Sequence, residues 1–360
     1  MTDAPTTVPV ARAATAGEVL AGHLTAQAGA FLRALPQAVG EAGSRPGALP
    51  ASAQAADDLL RAVRRIGGAL HTFAAVFDPA WAQETRNELR WLIDLLAQEP
   101  GYRRRADRLL GALDSLADAT PEGPGMLAGH AGAPKARALL ERQLTLARAR
   151  AHTALLQELR SARLHALADR MTLLAGEVPL VPAAAAEPAV SLLPQTAAAL
   201  GALAAAAERL PWQRAAQAYG GAGLHRLGAA PTEPGTVPPA RAGSSAADTA
   251  DAALAADDAP WLRARILVKR ARYALEVCNA PDGELLELDR VLGRHQEASD
   301  AAATVATAAR TPRITPATAY VLGVVHADQR LDVEAARYDF GRQWPVVASG
   351  LAGPAAVASD

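Results

Sequence analysis

The sequence of 360 residues has one cysteine, Cys278, and few aromatic side chains, which make up 4% of it. A single cysteine excludes an internal disulfide framework and a cysteine-based zinc site, and Cys278 is expected to be a small packing residue. Runs of β-branched residues with period two are nearly absent, so no sheet is predicted. Half of the residues are apolar and Ala is abundant. The expected class is therefore all-α, with closely packed helices.

The signatures of common enzymes are also missing. No Walker loop, dinucleotide fingerprint, nucleophile elbow or HExxH pair occurs, and His152 and His165 are too far apart for a helical i, i+4 metal pair. The sequence therefore predicts no enzyme, no metal site and no cofactor. The longest Ala-rich run, residues 197–207, is too short to span a bilayer, and the N-terminus lacks a signal pattern. A cytoplasmic protein without membrane association is expected.

The basic segment at residues 261–276, WLRARILVKRARYALE, is the most informative stretch. It has neither Gly nor Pro and is rich in Ala, Leu and Arg, so it predicts a helix. At about 100° per residue, Arg265, Lys269 and Arg272 fall in one row on its surface. Cations stacked without interleaved carboxylates repel one another. The row therefore predicts an anionic ligand, and a merely solvated face is the alternative.

A similar segment occurs in the first part of the chain. Residues 61–70 align with residues 266–275 so that Arg64-Arg65 meets Lys269-Arg270. This repetition predicts a duplicated unit whose two basic helices face one shared site. The formal net charge of −1 argues against a generic nucleic-acid protein but leaves room for a local basic channel. Gly67-Gly68 inside the first basic helix predicts either a close approach of another backbone or of a ligand, or simple drift.

Several segments resemble one known family. KRARYALE is similar to the "KRLRYALE"-type signature in the second half of CHAD domains, the conserved-histidine α-helical domains that bind inorganic polyphosphate. Four further segments resemble, in order, the family's "MRVATRRLRSAL", "LxSxRY", "LLGxxQDA" and "GxLxA" helices; they are residues 59–70, 159–164, 291–298 and 320–328. The resemblance covers about residues 15–345.

The resemblance implies an all-α, CHAD-like fold of two pseudo-symmetric antiparallel helical-bundle halves around a central basic groove. The expected divisions are a flexible leader at 1–14, a first half at 15–175, a linker at 176–194, a second half at 195–345 and a disordered tail at 346–360. Inorganic polyphosphate is the implied partner, with localisation at polyphosphate granules. The candidate polyphosphate contacts are Arg61, Arg64, Arg65, Arg160, Arg163, Arg265, Lys269, Arg270, Arg272 and Tyr273.

The chain also departs from the family pattern. Asp57 and Leu262 stand where the family has the histidines that precede its basic helices, and Leu60 replaces the Arg of the first "MRV". The chain is thus expected to be a divergent member. Two alternatives stay open: a helical scaffold or protein-interaction module with a decayed polyphosphate site, and, more weakly, RNA binding. In the coarse secondary structure, Pro100-Gly101 is expected to end the helix that begins at residue 80.

Overall fold

The computed structural model describes residues 14–42, 50–118, 125–212, 246–280 and 283–356. In these residues the regular elements are helices and no strand occurs, which confirms the all-α prediction. The helices are α1 (Ala16–Ala42), α2 (Pro50–Thr72), α3 (Pro79–Ala117), α4 (Ala133–Glu158), α5 (Ala162–Gly176), α6 (Pro182–Ala185), α7 (Leu193–Glu208), α8 (Ala246–Val277), α9 (Gly283–Ala309) and α10 (Pro316–Ala356), with short 3₁₀ helices at Ala74–Val76 and Ala189–Leu192. The predicted leader, apart from Ala14, and the Gly/Pro-rich residues 220–243 lie outside the described ranges.

Three clusters of buried apolar side chains hold these helices together. The first packs α1, α2 and the first part of α3 against α5. The second packs α7, α8 and the first part of α9 against the last part of α10, and it includes Trp261 and Phe340. The third joins the second part of α3 and the first part of α4 to the end of α9 and the start of α10. The division into residues 15–175 and 195–345 stays a prediction, but the third cluster draws side chains from both segments.

Helix α3 contradicts the prediction that Pro100-Gly101 ends a helix. Asp78 caps its N-terminus by accepting a hydrogen bond from the Trp81 amide at 2.8 Å, and the helix then continues through Pro100 to Ala117. A proline inside a helix removes one backbone hydrogen bond. Buried leucines lie on both sides of Pro100, in the first and third clusters. Their burial outweighs the lost bond and keeps the helix continuous.

The structure also corrects the prediction for the C-terminal tail. Helix α10 continues through Pro345 to Ala356, so the prediction of disorder from residue 346 is wrong as far as Ala356. Val347 is buried in the second cluster, which gives this segment an apolar contact that its small-residue composition does not reveal. Residues 357–360 lie outside the described part of the chain.

The stretch Ala189–Glu208, which includes α7, is strongly apolar. Among the described helices, this stretch is long and apolar enough to cross a membrane by length and composition alone. The Ala-rich run at residues 197–207, which is too short on its own, covers only part of it. Leu200, Leu203 and Ala207 are buried in the second cluster against α8. The apolar composition of α7 therefore also serves the protein core.

Four helices form a closed ring that carries the basic segments. α2 contacts α3, α3 contacts α9, α9 contacts α8, and α8 contacts α2. Between α3 and α9 the contact includes ion pairs from Arg104 to Glu297 at 3.5 Å and from Arg105 to Asp300 at 3.4 Å. The basic helices α2 and α8 are thus adjacent members of the ring, although they are far apart in the sequence.

Candidate functional site

The two basic helices cross in direct contact at Gly68 of α2 and Tyr273 of α8. A Cβ atom on Gly68 would lie 2.6 Å from Cδ2 of Tyr273, so a larger residue at position 68 would force the ring to move. Gly67 faces open space instead. The close approach at Gly68 is therefore that of a side chain, and not of another backbone or a ligand, and it does not account for Gly67. Burial raises the pKa of the Tyr273 hydroxyl, which stays a neutral group.

Pairs on either side of this crossing show that α2 and α8 run antiparallel. On one side, Nε of Arg65 lies 2.7 Å from Oε1 of Glu276. On the other side, burial lowers the pKa of His71, and the neighbouring Arg270 lowers it further. The alignment of the two basic segments places Arg65 on Arg270 and His71 on Glu276. The two pairs are thus counterparts in this alignment, as expected of a duplicated unit whose basic helices cross at equivalent positions.

The row on α8, Arg265, Lys269 and Arg272, has a carboxylate among its cations. Oδ2 of Asp289 on α9 accepts hydrogen bonds from Nζ of Lys269 at 2.7 Å and from Nη1 of Arg272 at 2.9 Å. Nε of Arg265 lies 4.0 Å from Oδ1 of the same carboxylate. The expectation of a row free of carboxylates is therefore wrong, because it considered α8 alone. Three cations share one negative charge, and we call this group the Lys269 row.

Arg64 of α2 adds a further positive charge beside the Lys269 row. It is half-buried, and it makes no hydrogen bond or ion pair with the described residues. Burial lowers the pKa of Lys269, and the charges of Arg265 and Arg64 lower it further, while Asp289 opposes them. The Lys269 row and Arg64 together thus remain a positively charged patch.

A second group of cations gathers on the other side of the α2–α8 contact. Arg86 and Arg90 of α3 lie near Arg263 and Arg270 of α8, with His71 of α2 beside them. Burial is the main cause that lowers the pKa of Arg270, and Arg86, Arg263 and Arg90 add to it. Within the described ranges, none of the four guanidinium groups pairs with a carboxylate; Arg90 only donates to the side-chain amide of Asn87 at 3.5 Å. We call these four arginines and His71 the open arginine cluster.

The sequence interpretation found only Arg270 of this cluster. Arg86 and Arg90 are one helical turn apart, but Glu84 and Glu88 stand beside and between them in the sequence. In the structure, Glu84 pairs with Arg170 at 2.6 Å and Glu88 with Arg163 at 2.7 Å, both on α5. At 100° per residue the two glutamates fall on the opposite side of α3 from the two arginines. The helical spacing of Arg86 and Arg90 indicates a shared basic face, but the neighbouring glutamates make this face hard to recognise in the sequence.

The remaining predicted contacts lie apart from these two groups. Arg163 forms two hydrogen bonds to Glu88 and lies over the ring of Trp91, 4.2 Å from its centroid. Arg61 is exposed and pairs with Asp58 on its own helix. Arg160 is exposed in the turn between α4 and α5. The structure therefore brings Arg64, Arg65, Arg265, Lys269, Arg270, Arg272 and Tyr273 together around the crossing, and it does not place Arg61, Arg160 or Arg163 in contact with them.

A buried charge network joins α8, α9 and α10, and the sequence interpretation missed it. Asp258 accepts two hydrogen bonds from Arg330, at 2.7 and 3.0 Å, and one from Arg337 at 2.5 Å. Ser299 donates to the same carboxylate. Arg337 also donates to Nε2 of His295 at 3.3 Å. We call this group the Asp258 network. The burial of Asp258 is hard to predict from the sequence, because Asp258 ends an acidic, Ala-rich stretch of a kind that is usually exposed to solvent.

His295 in the Asp258 network is held neutral. Its ring stacks on Trp261 with 5.8 Å between the centroids, and its side chain is 1% exposed. Burial lowers its pKa to about 3, and the charge of Arg337 contributes. In the part of the chain that the structure describes, no group of three or more His, Cys, Asp or Glu side chains could hold a metal ion. The hydrogen bonds of the Asp258 network connect α8, α9 and α10.

Comparisons with known proteins agree with the resemblance in the sequence. The CHAD domain family model matches residues 41–306. The solved structure of PptA from Streptomyces chartreusis is 41% identical, with a TM-score of 0.71 over 92% of this chain and 100% of that one. A CHAD domain from the plant Ricinus communis is 18% identical, with a TM-score of 0.51 over 94% of this chain and 96% of that one, and it supports the fold alone. No curated protein matches the chain.

Proposed function

This chain belongs to the CHAD domain family, and we propose that it binds inorganic polyphosphate at the α2–α8 crossing. The open arginine cluster supplies most of the attraction, and Arg64 with the Lys269 row extends the site to the other side of the crossing. The observation that carries the proposal is the open arginine cluster itself, in which Arg86, Arg90 and Arg263 lie close enough to act on Arg270 and none of the four has a carboxylate partner in the described residues.

The chemistry of these side chains suits a phosphate chain. Inorganic polyphosphate carries about one negative charge per phosphate, and arginines that neutralise it release condensed counterions, so that binding depends steeply on salt. Arginine is better than lysine for bidentate contacts to phosphate. Of the 36 Lys and Arg residues only Lys135 and Lys269 are lysine. A linear polyanion that lies across the α2–α8 crossing reaches cations on both of its sides.

The same proposal extends to the role of the protein in the cell. We propose a binding protein rather than an enzyme, since the site consists of cations without a nucleophile and base held together. By family resemblance we also propose a cytoplasmic location at polyphosphate granules. Within this proposal Tyr273 flanks the bound chain and donates its hydroxyl, because its raised pKa keeps the proton in place.

A second candidate is a helical scaffold whose polyphosphate site has decayed. Two observations favour it. First, Arg65 has a carboxylate partner in Glu276, and Lys269 has one in Asp289. Second, Asp57 and Leu262 replace the histidines of the family. RNA binding is the third and weakest candidate, since the formal net charge of the chain is −1.

Calorimetric titration of the full chain with polyphosphate at several salt concentrations tests the proposal. We expect a Kd in the micromolar range or below at low salt, and an affinity that falls steeply as salt rises. Arg86→Ala with Arg270→Ala is expected to weaken binding about a hundredfold, about tenfold for each arginine that no longer binds phosphate. Competition between polyphosphate and RNA at equal phosphate concentration distinguishes polyphosphate binding from RNA binding.

A matched control removes two arginines that already have carboxylate partners. Arg170 pairs with Glu84 and Arg294 with Asp339, so Arg170→Ala with Arg294→Ala lowers the net charge by the same amount. We expect this variant to bind polyphosphate within about threefold of the unaltered protein. Equal losses in both double variants would mean that only total charge matters. Absence of any binding at low salt would leave the scaffold hypothesis, which recovery of a specific partner protein would then support.

A further inference from the structure

The Lys269 row contains a negative charge at the place where a phosphate group would bind. Asp289 on α9 is only 10% exposed at its side chain, whereas Arg265 and Lys269 are 33% and 24% exposed. The carboxylate therefore lies beneath the cations, with the cationic groups toward solvent. We infer that Asp289 is a built-in counter-charge that weakens phosphate binding at the Lys269 row, an inference that rests on the proposed function.

The geometry shows a site in which donors exceed acceptors. Oδ2 of Asp289 accepts from both Lys269 and Arg272, while Nε of Arg265 is too far from Oδ1, at 4.0 Å, to form a hydrogen bond. The Nε atom of Arg265 and Oδ1 of Asp289 are both buried and lack a hydrogen-bond partner in the described part of the chain. A buried donor without an acceptor is uncommon in native proteins. The side chains of Arg265 and Lys269 are partly exposed as a whole, so a phosphate group, with several strong acceptor oxygens, can approach them from solvent.

The charges give the direction of the effect. Asp289 is one carboxylate among three cations of the row, and Arg64 lies close enough to act on Lys269 as well. An incoming phosphate is attracted by the cations and repelled by Asp289, so the carboxylate subtracts from the affinity. Without a ligand, the same carboxylate reduces the repulsion between Arg265, Lys269 and Arg272 and stabilises the row. The open arginine cluster has no such carboxylate among the described residues and thus attracts phosphate without this opposition.

Asp289→Asn tests the inference because it removes one negative charge and preserves the shape of the side chain. The probe is tripolyphosphate, titrated calorimetrically into the full chain at low and at moderate salt. We expect binding about tenfold tighter than in the unaltered protein, the size that one unit charge produces at a partly exposed site. We also expect the melting temperature without ligand to fall and to recover when tripolyphosphate is added.

A control separates this local effect from a change in total charge. Asp114 is an exposed carboxylate that pairs with Arg137 outside the row, and Asp114→Asn raises the net charge equally. We expect it to change tripolyphosphate affinity less than twofold. Circular dichroism shows whether each variant is folded, and Asp289→Ser replaces Asp289→Asn if the latter does not fold.

The outcomes distinguish this inference from the proposed function. Tighter binding by Asp289→Asn supports the counter-charge, even if the unaltered protein binds no tripolyphosphate and the proposed function fails. Equal or weaker binding overturns the counter-charge and assigns Asp289 to holding the cations in place, while binding by the unaltered protein keeps the proposed function. If neither protein binds tripolyphosphate, both ideas are overturned.

Discussion

Arginine occupies two opposite environments in this protein. In the Asp258 network, Arg337 is buried and the Arg330 side chain is 15% exposed, and both donate hydrogen bonds to the same carboxylate. In the open arginine cluster, Arg86 and Arg270 are half-buried beside other cations, and no described carboxylate pairs with them. The residue type is the same in both places. The difference lies in where the balancing negative charge comes from.

This difference separates a structural role from a binding role. A buried cation needs a partner inside the protein, because water cannot stabilise it there. The Asp258 network meets that need and links α8 to α10 through Arg330 and Arg337. A half-buried cation among other cations leaves its balance to solvent ions, which a polyanion displaces on binding. The Lys269 row stands between these cases, since Asp289 balances it only in part.

The largest expected effect comes from breaking the Asp258 network. Asp258→Ala leaves the buried guanidinium group of Arg337 and the mostly buried one of Arg330 without their shared carboxylate, so we expect the free energy of unfolding to fall by about 3 to 5 kcal/mol. Urea denaturation followed by circular dichroism measures it. The control is Asp114→Ala, which breaks an exposed pair with Arg137 and is expected to cost less than about 1 kcal/mol. Similar losses in both variants would contradict a special role for the buried network.

The next effect concerns the crossing that separates the open arginine cluster from the Lys269 row. A Cβ on Gly68 would overlap the ring of Tyr273, so we expect Gly68→Ala to destabilise the protein by about 1 to 3 kcal/mol. Gly67→Ala is the matched control, because its Cβ meets open space and alanine favours a helix by up to about 1 kcal/mol. Denaturation of both variants measures the difference. If both substitutions stabilised the protein, α2 and α8 would not be in close contact at Gly68.

Much of the fold followed from the sequence because it rests on local patterns. The absence of period-two runs predicted an all-α protein, and the repetition of the basic segment predicted two basic helices that face one shared site. Pro100 was misjudged for the opposite reason. Its effect on α3 depends on leucines before and after it that pack in two different clusters, and this packing is a tertiary property.

The candidate site was predictable only in part, since charge balance is decided between helices. Lys269 and Arg270 are neighbours on α8, yet Lys269 bonds to Asp289 of α9 and Arg270 faces Arg86 of α3. The spacing along one helix cannot tell which neighbour brings a carboxylate and which brings another arginine. Arg163 shows the same dependence, because its carboxylate partner, Glu88, comes from another helix, α3.

A smaller effect is expected at the Lys269 row. Lys269→Ala with Arg272→Ala removes two cations but also frees Asp289, so we expect polyphosphate affinity to fall about tenfold at low salt, or about 1.4 kcal/mol. That loss is smaller than the hundredfold expected for Arg86→Ala with Arg270→Ala. Titrations of the two double variants under identical conditions compare the two groups directly. A greater loss at the Lys269 row would make it, and not the open arginine cluster, the main site.

The smallest expected effect is the pH dependence that His71 gives to the open arginine cluster. Burial and the nearby Arg270, Arg86 and Arg90 lower its pKa below the usual 6.5, so it is neutral in the free protein near neutral pH. A bound polyanion favours the protonated ring and raises this pKa, so binding and protonation strengthen each other. The increase in affinity is absent at pH values above the pKa that His71 has in the complex. It is complete at pH values below the pKa that His71 has in the free protein.

We therefore expect the affinity for polyphosphate, relative to that of His71→Gln, to rise about threefold as the pH falls from 8 to 5. The ratio of the two proteins at each pH cancels the titration of the phosphates themselves. His71 makes the opposite contribution to the stability of the free protein, because a ring whose pKa is depressed on folding disfavours the folded state once the pH drops below 6.5. A ratio that stays constant with pH would place His71 outside the reach of the bound chain and limit the open arginine cluster to its four arginines.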